Sequence, residues 1–326
     1  MFFKNIFVKM KHLKIAIIGY GNIGKKRHNA ILKLNQKNVK VTNIFDKNFN
    51  KKLLTKSNLF KSSFKKTNLD DNDLIIISTP TEVTEKIVNK FAGKNHLLVE
   101  KPISKNIKLI KKLIMTQNKN KKLLKTGYNL RFDDGIITAK KILEEKKLGK
   151  IYYVKNTYAN GAARTNSNRV GSILDMASHS LNLIQFFFRN KKISFKYIKN
   201  QKNEFMQKTK IDNGFILFDI DKIIGVIHHG FCNWKNQFKL EIYGSKGFLK
   251  VSSLSKWGNQ RVEFGKRVYP SGPPRIKVWN FKKDNSWKNE LNFVIKKILK
   301  KDIEYKQVNL EGYKTIELIK KLKYDV

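Results

Sequence analysis

Short apolar runs alternate with amphipathic segments through the first 127 residues of the chain. The runs have the length of strands, and several are apolar throughout, as in strands that a parallel sheet buries on both faces. The segments between them repeat apolar residues at helical spacing. Strands are predicted at Lys14–Ile18, Val39–Phe45, Leu74–Ser78, His96–Val99 and Lys122–Thr126. Helices are predicted at Asn22–Leu34, from after Pro80 to about Ala92, and at Asn106–Gln117. This alternation predicts a doubly wound parallel sheet.

After Gly127 the pattern changes to a series of strands with few helices. A strand at Ile151–Tyr158 precedes a predicted helix at Ser172–Phe188, and several strands with turns follow between Ile193 and Val268. Two amphipathic helices, near Ser286–Leu299 and Glu311–Leu322, close the chain. We therefore predict an α/β protein of two domains, 1–127 and 128–326. The second is α+β with a mostly antiparallel sheet.

Lysine supplies most of the net charge of +44, because only eight of the 69 basic residues are arginine. The lysines are spread evenly, whereas a nucleic-acid site would concentrate arginine and aromatic residues on one face. We therefore expect a solvated surface and no specific nucleic-acid partner. No run approaches the ~20 apolar residues of a membrane span, so we predict none. The single cysteine, Cys232, fits a cytoplasmic location.

A glycine-rich motif, Gly19-Tyr20-Gly21-Asn22-Ile23-Gly24, follows the first strand and opens the first helix. In this setting Gly19 permits the tight turn, Gly21 admits a pyrophosphate and Gly24 allows close packing. Asn22 and Ile23 begin the helix whose N-terminal N–H groups would bind the phosphates. Asp46 ends the second strand and would accept hydrogen bonds from ribose hydroxyls, which favours NAD, with NADP as the alternative.

Two further motifs end predicted strands, at the edge where α/β sheets bind ligands. Ser78-Thr79-Pro80 follows the third strand, although proline also simply terminates strands. Glu100-Lys101-Pro102 follows the next strand, where the nicotinamide is expected. A lysine there can orient a substrate hydroxyl and share in proton transfer. By default, however, any one of so many lysines is a surface residue.

Asp175 and His179 are four residues apart on a predicted helix and so share one face. Histidine is the side chain best suited to take up a proton near neutral pH, although a helix-surface pair has the same spacing. His228 and His229 lie on a predicted strand and point to opposite faces, so they cannot both bind one metal. We predict no metal site.

In their order along the chain, these motifs resemble those of the Gfo/Idh/MocA oxidoreductases. The match extends over nearly the whole chain and includes Gly127–Phe132, Gly171–His179 and Tyr243–Gly247. The resemblance implies a Rossmann domain at 1–127 and a substrate-binding domain at 128–326, whose large open sheet often forms the oligomer interface. It also implies a homodimer or homotetramer. The implied activity is hydride transfer between NAD(P) and a hydroxyl of a sugar, inositol or related compound.

The resemblance also implies roles for individual residues. Lys101 matches the family's catalytic lysine, which polarises or deprotonates the reacting hydroxyl. His179 matches the general base, and Asp175 matches a group that binds and orients the substrate. Further contacts to an anionic or polyhydroxylated substrate would come from Asn129, Arg131 and Arg164. Thr84 stands where the family often has histidine, and Asn182 stands where aspartate is frequent.

The sequence therefore predicts an NAD(P)-dependent dehydrogenase or reductase acting on a sugar, inositol or nucleotide-sugar, with surface-polysaccharide or unusual-sugar metabolism as a suggested context. The cofactor would contact Gly19, Gly21, Asn22, Ile23, Gly24, Asp46, Ser78, Thr79, Pro80, Glu100 and Lys101. The alternative is a non-catalytic NAD-binding sensor of the same fold. A nucleic-acid-associated protein is a third hypothesis that rests on charge alone.

Overall fold

Six parallel strands form the sheet of the first of two units in the computed structural model, which describes residues 12–49, 57–65, 67–161, 170–203, 210–300 and 305–322. The strands are β1 (Leu13–Ile18), β2 (Val39–Phe45), β3 (Phe60–Lys61), β4 (Leu74–Ile77), β5 (His96–Glu100) and β6 (Leu124–Gly127). The helices between them are α1 (Asn22–Leu34), α2 (Thr81–Phe91) and α3 (Ile107–Lys119). The apolar runs form the central strands, because a parallel sheet buries both faces of such strands. In β4, for example, every residue is fully buried.

The strand order of this sheet is β3-β2-β1-β4-β5-β6, and all five pairings are parallel. Strands β2 and β3 therefore lie on one side of β1, and the strands from β4 onward lie on its other side. In open α/β sheets, ligands bind in the crevice outside the carboxyl ends of the strands at such a switch point. This order confirms the predicted doubly wound sheet and places the glycine motif after β1.

The second unit contains an eight-stranded sheet of order β14-β13-β12-β11-β7-β10-β9-β8. Only the β7–β10 pair is parallel, so the predicted mostly antiparallel sheet is confirmed. Two helices, α4 (Asp134–Glu144) and α5 (Ser178–Phe187), belong to this unit. The strands are β7 (Ile151–Ala159), β8 (Ile193–Gln201), β9 (Asn213–Ile220), β10 (Ile223–Gly230), β11 (Gln237–Gly244), β12 (Gly247–Ser252), β13 (Gln260–Lys266) and β14 (Arg275–Phe281).

Two C-terminal helices, α6 (Ser286–Leu299) and α7 (Tyr305–Lys321), are shared between the units. The units divide at Gly127 and Tyr128, but Leu291–Leu310 groups with the first unit, whereas the sequence placed this stretch in the second domain. Asn309 gives a physical reason. Its Oδ1 accepts from the Leu124 N–H at 2.6 Å, and its Nδ2 donates to the Lys122 carbonyl at 3.1 Å. The start of β6 is thereby bonded to a residue far along the chain. No helix in the described ranges has the length and apolarity needed to cross a membrane.

Candidate active site

The three glycines of the loop after β1 differ in how closely other atoms approach them. Gly19 has φ +91°, and a Cβ there would lie 2.6 Å from the Ser78 carbonyl oxygen. A Cβ on Gly24 would lie 2.0 Å from the Gly19 carbonyl oxygen, so this glycine allows α1 to start against the loop. A Cβ on Gly21 would meet nothing within 4 Å. The loop is therefore tightly packed at Gly19 and Gly24 and open at Gly21.

This opening fits the pyrophosphate of a dinucleotide. The N-terminus of α1 has no side-chain cap and no acidic residue in its first turn. Its N–H groups and partial positive charge are therefore available to an anion. The Ser78 hydroxyl, at the end of the neighbouring strand β4, is buried and makes no hydrogen bond among the described residues. These features agree with the predicted phosphate-binding loop.

Asp46 is held against the glycine loop by hydrogen bonds. Its Oδ2 accepts from the Tyr20 N–H at 2.6 Å, and its Oδ1 accepts from the Asn48 N–H at 2.9 Å. The carboxylate at the end of β2 thus has a fixed orientation, while the residue remains partly exposed. A carboxylate fixed there retains lone pairs to accept from a ribose hydroxyl.

Thr84 stabilises the strand end at Ser78-Thr79-Pro80. Its hydroxyl lies 2.8 Å from the Thr79 Oγ1 and donates to the Thr79 carbonyl at 2.9 Å, and its N–H donates to the Pro80 carbonyl at 2.9 Å. The buried threonine at the position where the family often has histidine therefore joins the strand end to the first turn of α2. This arrangement fixes the backbone beside Gly19.

Arg27 is a functional neighbour that the sequence analysis missed. It lies on α1, is 0% exposed and donates from Nε and Nη2 to Glu100 Oε1 at 2.8 and 2.5 Å. Glu100 therefore has a buried ionic partner, and the end of β5 that leads into Lys101 is attached to α1. Gly127 leaves room for this pair, since a Cβ there would lie 2.6 Å from the Arg27 Nη2. The available signal was an arginine among the buried positions of α1.

In the second unit, Asp175 lies in a π-helical turn, Ile173–Ala177, and His179 lies in the first turn of α5. The predicted helix is therefore not α-helical throughout, because it begins with a wider π-helical turn. Single π-helical turns occur frequently at functional sites. Ser172 anchors the turn, because its N–H and its hydroxyl donate to the Ile211 carbonyl at 2.8 and 3.2 Å.

His229 supports the same anchor from strand β10. Its Nδ1 lies 3.0 Å from the Ser172 Oγ. Burial lowers the pKa of His229 to about 3, so the ring is neutral. Since the Ser172 hydroxyl donates to Ile211, we infer that it accepts from a protonated Nδ1. The sequence places His229 on a strand, but its burial, which gives it this role, depends on contacts that are distant in sequence.

His179 is 9% exposed and lies between two aromatic rings. The rings of Tyr128 and Tyr158 pack edge-on against the imidazole, each with its centroid 5.7 Å away. Burial raises the pKa of Tyr128, so its phenol stays neutral. This packing holds the histidine ring in one orientation, as a group that exchanges a proton with a substrate requires.

Arg131 and Asn129 have polar partners inside the second unit. The Arg131 Nε donates to the Asn182 Oδ1 at 2.6 Å, and its Nη1 forms a 2.9 Å ion pair with Glu311. The Asn129 Nδ2 donates to the Ser286 Oγ at 2.9 Å. The structure thus gives both residues a part in holding α5 and the C-terminal segments. Their contact to a substrate stays a prediction. Arg164, the third predicted substrate contact, lies outside the described residues.

The structure therefore places the predicted residues in two groups. The cofactor residues and Lys101 belong to the first unit, at the carboxyl edge of its sheet. Asp175 and His179 belong to the second unit. In the described parts of the chain, no three His, Cys, Asp or Glu side chains are grouped as a metal ion would require.

Two family models match the chain in consecutive segments. Residues 13–128 match an oxidoreductase family model with an NAD-binding Rossmann fold, and residues 136–250 match the Gfo/Idh/MocA C-terminal domain. Among curated relatives, inositol 2-dehydrogenase of Rhizobium meliloti is 26% identical over 129 residues, which are 38% of this chain and 39% of the relative. An uncharacterised oxidoreductase of Schizosaccharomyces pombe is 36% identical over 93 residues, which are 26% and 25% of the two chains. The alignments thus span two fifths or less of these relatives.

Solved structures share the fold over nearly the whole chain. UDP-N-acetylglucosamine 3-dehydrogenase of Acidithiobacillus ferrooxidans superposes with a TM-score of 0.78 at 15% identity, covering 95% of this chain and 96% of that one. A 3-ketoreductase of Actinomadura kijaniata, in complex with NADP and TDP-benzene, superposes with a TM-score of 0.78 at 12% identity, covering 95% and 98%. At such identities the likeness concerns the fold.

Proposed function

The chain belongs to the Gfo/Idh/MocA oxidoreductase family, and on that premise we propose that it transfers a hydride between a nicotinamide dinucleotide and a hydroxyl or keto carbon of a sugar-type substrate. The open cradle at Gly21, before the uncapped N-terminus of α1, is the observation that carries the proposal. The inositol and nucleotide-sugar enzymes among the relatives and neighbours support a sugar, inositol or nucleotide-sugar as substrate.

Three side chains of this protein would act in the reaction. When bound, the nicotinamide supplies the carbon that accepts or donates the hydride. In the oxidative direction, Lys101 hydrogen-bonds the reacting hydroxyl through its Nζ and polarises it. His179 takes up the hydroxyl proton on its imidazole, so the alcohol loses a hydride and a proton and becomes a carbonyl. Asp175 binds a neighbouring hydroxyl and orients the sugar.

Asp46 supports NAD as the preferred cofactor. A carboxylate fixed at the end of β2 accepts hydrogen bonds from the ribose hydroxyls and repels a 2′-phosphate. Fluorescence titration with NADH and NADPH tests this preference. Equal affinity for the two cofactors would contradict it.

Hydride transfer itself is the test of the proposed function. The protein is incubated with NAD or NADP and a panel of sugars, inositols and nucleotide-sugars, and separately with NADH or NADPH and their keto derivatives, and nicotinamide absorbance reports turnover. We expect turnover with at least one class. Tight cofactor binding without turnover on any panel member, in either direction, would instead favour the non-catalytic sensor.

Gly21→Ala should affect NADH binding, whereas Gly24→Ala should affect folding stability. Gly21 has φ −69° and open space around it, so alanine should leave the melting temperature unchanged and weaken NADH binding. At Gly24 the new methyl meets the Gly19 carbonyl, which should cost about 1–3 kcal/mol of folding free energy. Thermal melting and NADH titration of both variants separate the two effects. Unchanged NADH affinity in Gly21→Ala would count against the phosphate cradle.

The open face of the eight-stranded sheet supports the proposal of a homo-oligomer. Strand register places Tyr153, Tyr243 and Phe248 side by side, and their rings stack with centroids 4.9 and 5.6 Å apart. Ile224 is paired with Tyr153 in the same row and is 57% exposed. An apolar row of this kind on a sheet is typical of a surface that another chain covers.

Ile224→Asp should therefore convert the assembly into monomers, because it places a charge at the end of the apolar row, next to Tyr153 and beside the carboxylate of Asp219. Sedimentation velocity of the intact protein should give the mass of two or four chains, and the variant should give the mass of one. Leu32→Asp is the matched control, since Leu32 is 63% exposed on α1 of the first unit. A monomeric wild type, or an unchanged mass for Ile224→Asp, would contradict the assignment.

A further inference from the structure

A short turn between β12 and β13, Ser255–Trp257, is fixed to the start of α4 by a buried aspartate. Asp133 is 1% exposed and accepts from the Ser255 Oγ and the Gln260 Nε2, both at 2.6 Å. The same carboxylate caps α4 by accepting from the Gly135 N–H at 3.1 Å. Ser255 begins the turn and Gln260 begins β13, so one buried group is bonded on both sides of Lys256 and Trp257 and holds this segment in place.

Lys256 lies on this turn, and its ammonium group is positioned by two aromatic side chains. Its Nζ donates to the Tyr158 Oη at 2.9 Å. It also lies 5.4 Å from the Tyr158 ring centroid and 4.9 Å from that of Trp257. Cation–π contacts of this length attract the charge to the ring faces. Lys256 is nevertheless exposed, and Trp257 is half-buried, so both remain accessible to a ligand.

Tyr158 connects this cation to the proposed general base. It is 3% exposed, and its ring packs against His179 on the one side while its hydroxyl bonds Lys256. The ammonium group therefore lies across a single tyrosine from the group that would take up the substrate proton. Arg131, one of the two arginines that the resemblance implied for an anionic substrate, bonds Asn182 and Glu311.

We propose that Lys256 and Trp257 form an anion-binding subsite on the opposite side of Tyr158 from His179, and that the substrate is a sugar derivative carrying a carboxylate or phosphate. Lys256 binds the negative group, and the Trp257 ring packs against an apolar face of the ligand. This inference rests on the proposed function and narrows its substrate class. Neutral hexoses and inositols would bind without the contact to Lys256.

The high net charge of the chain makes a distinction necessary. Dispersed surface lysines attract any anion, but added salt screens that attraction within about 8–10 Å at physiological ionic strength. A direct contact to one positioned ammonium group is screened much less, and it depends on that residue. The experiment is therefore performed near 0.15 M salt and compares single lysines.

Binding is measured by isothermal titration calorimetry on the NADH-saturated protein, with D-glucuronate, UDP-glucose and D-glucose as probes. NADH cannot reduce a hydroxyl, so these mixtures do not react at the alcohol carbon. At least one anionic probe should bind about tenfold more tightly than glucose, as one charge-assisted hydrogen bond provides. Tighter binding of glucuronate than of glucose indicates that the subsite binds a carboxylate. Tighter binding of UDP-glucose than of glucose indicates that it binds a phosphate.

Lys256→Met should remove this preference for the anion and leave glucose and NADH binding unchanged, and Lys256→Arg should retain it. Lys277→Met is the matched control, because Lys277 also lies over an indole ring, 5.1 Å from the Trp279 centroid on β14. The proposal is overturned if neither anion is preferred, or if the Lys256 and Lys277 variants lose affinity equally. Absent NADH binding would contradict the proposed function instead, and the same titrations on the cofactor-free protein would still test the subsite.

Discussion

Replacing Lys101 with alanine should lower the rate of hydride transfer by about 10²–10⁴-fold, the range that a positioned proton-transfer group contributes. Lys101 directly follows β5 at the carboxyl edge of the first sheet. Lys101 is also an expected contact at the nicotinamide end, but the pyrophosphate cradle lies after β1 and involves other residues, so NADH affinity should be nearly unchanged. The variant would then bind cofactor normally and fail in the chemical step.

The measurement is steady-state kcat/KM with the best substrate of the panel, beside NADH titration of the same preparation. Lys105→Ala is the matched control, because Lys105 is an exposed lysine four residues further along the same segment. It should retain wild-type turnover. Wild-type activity in Lys101→Ala would remove this lysine from the mechanism, and a parallel loss of NADH binding would give it a cofactor-binding role.

The surroundings of Lys101 show which structural features can be predicted from the sequence and which cannot. The strands and the glycine motif were predictable because buried parallel strands are local apolar runs, and each glycine acts on neighbouring backbone. The Arg27–Glu100 pair was not, because its partners are 73 residues apart and the position of Arg27 on the buried face of α1 does not identify the carboxylate with which it pairs. That pair fixes the strand end from which Lys101 extends.

The surroundings of His179, the proposed general base in the second unit, likewise depend on contacts that the sequence does not predict. The spacing of Asp175 and His179 predicted one face of a helix, but the π-helical turn depends on Ser172, Ile211 and His229, which come from three separate segments. Lys256 was one lysine among many until the turn at Ser255–Trp257 brought it to Tyr158. Long-range hydrogen bonds select, from many equivalent side chains, the few that have fixed positions.

Arg131→Leu should lower the free energy of unfolding by about 3–5 kcal/mol, the cost of breaking a buried ion pair by removing one partner. The Arg131 side chain is 7% exposed, and its guanidinium group bonds Asn182 on α5 and pairs with Glu311 on α7. Leucine supplies neither contact. The loss should also disturb α5, the helix that carries His179.

Urea denaturation of wild type and variant measures the change, and Lys94→Leu provides the control. Lys94 pairs with Asp70 at 3.6 Å, but their side chains are 57% and 54% exposed, so its loss should cost at most about 1 kcal/mol. Were Arg131 only a substrate contact, as the family resemblance implied, Arg131→Leu would leave stability nearly unchanged and raise KM. A double-mutant cycle with Glu311→Gln decides between the two, because only a structural pair couples the two residues in the absence of substrate.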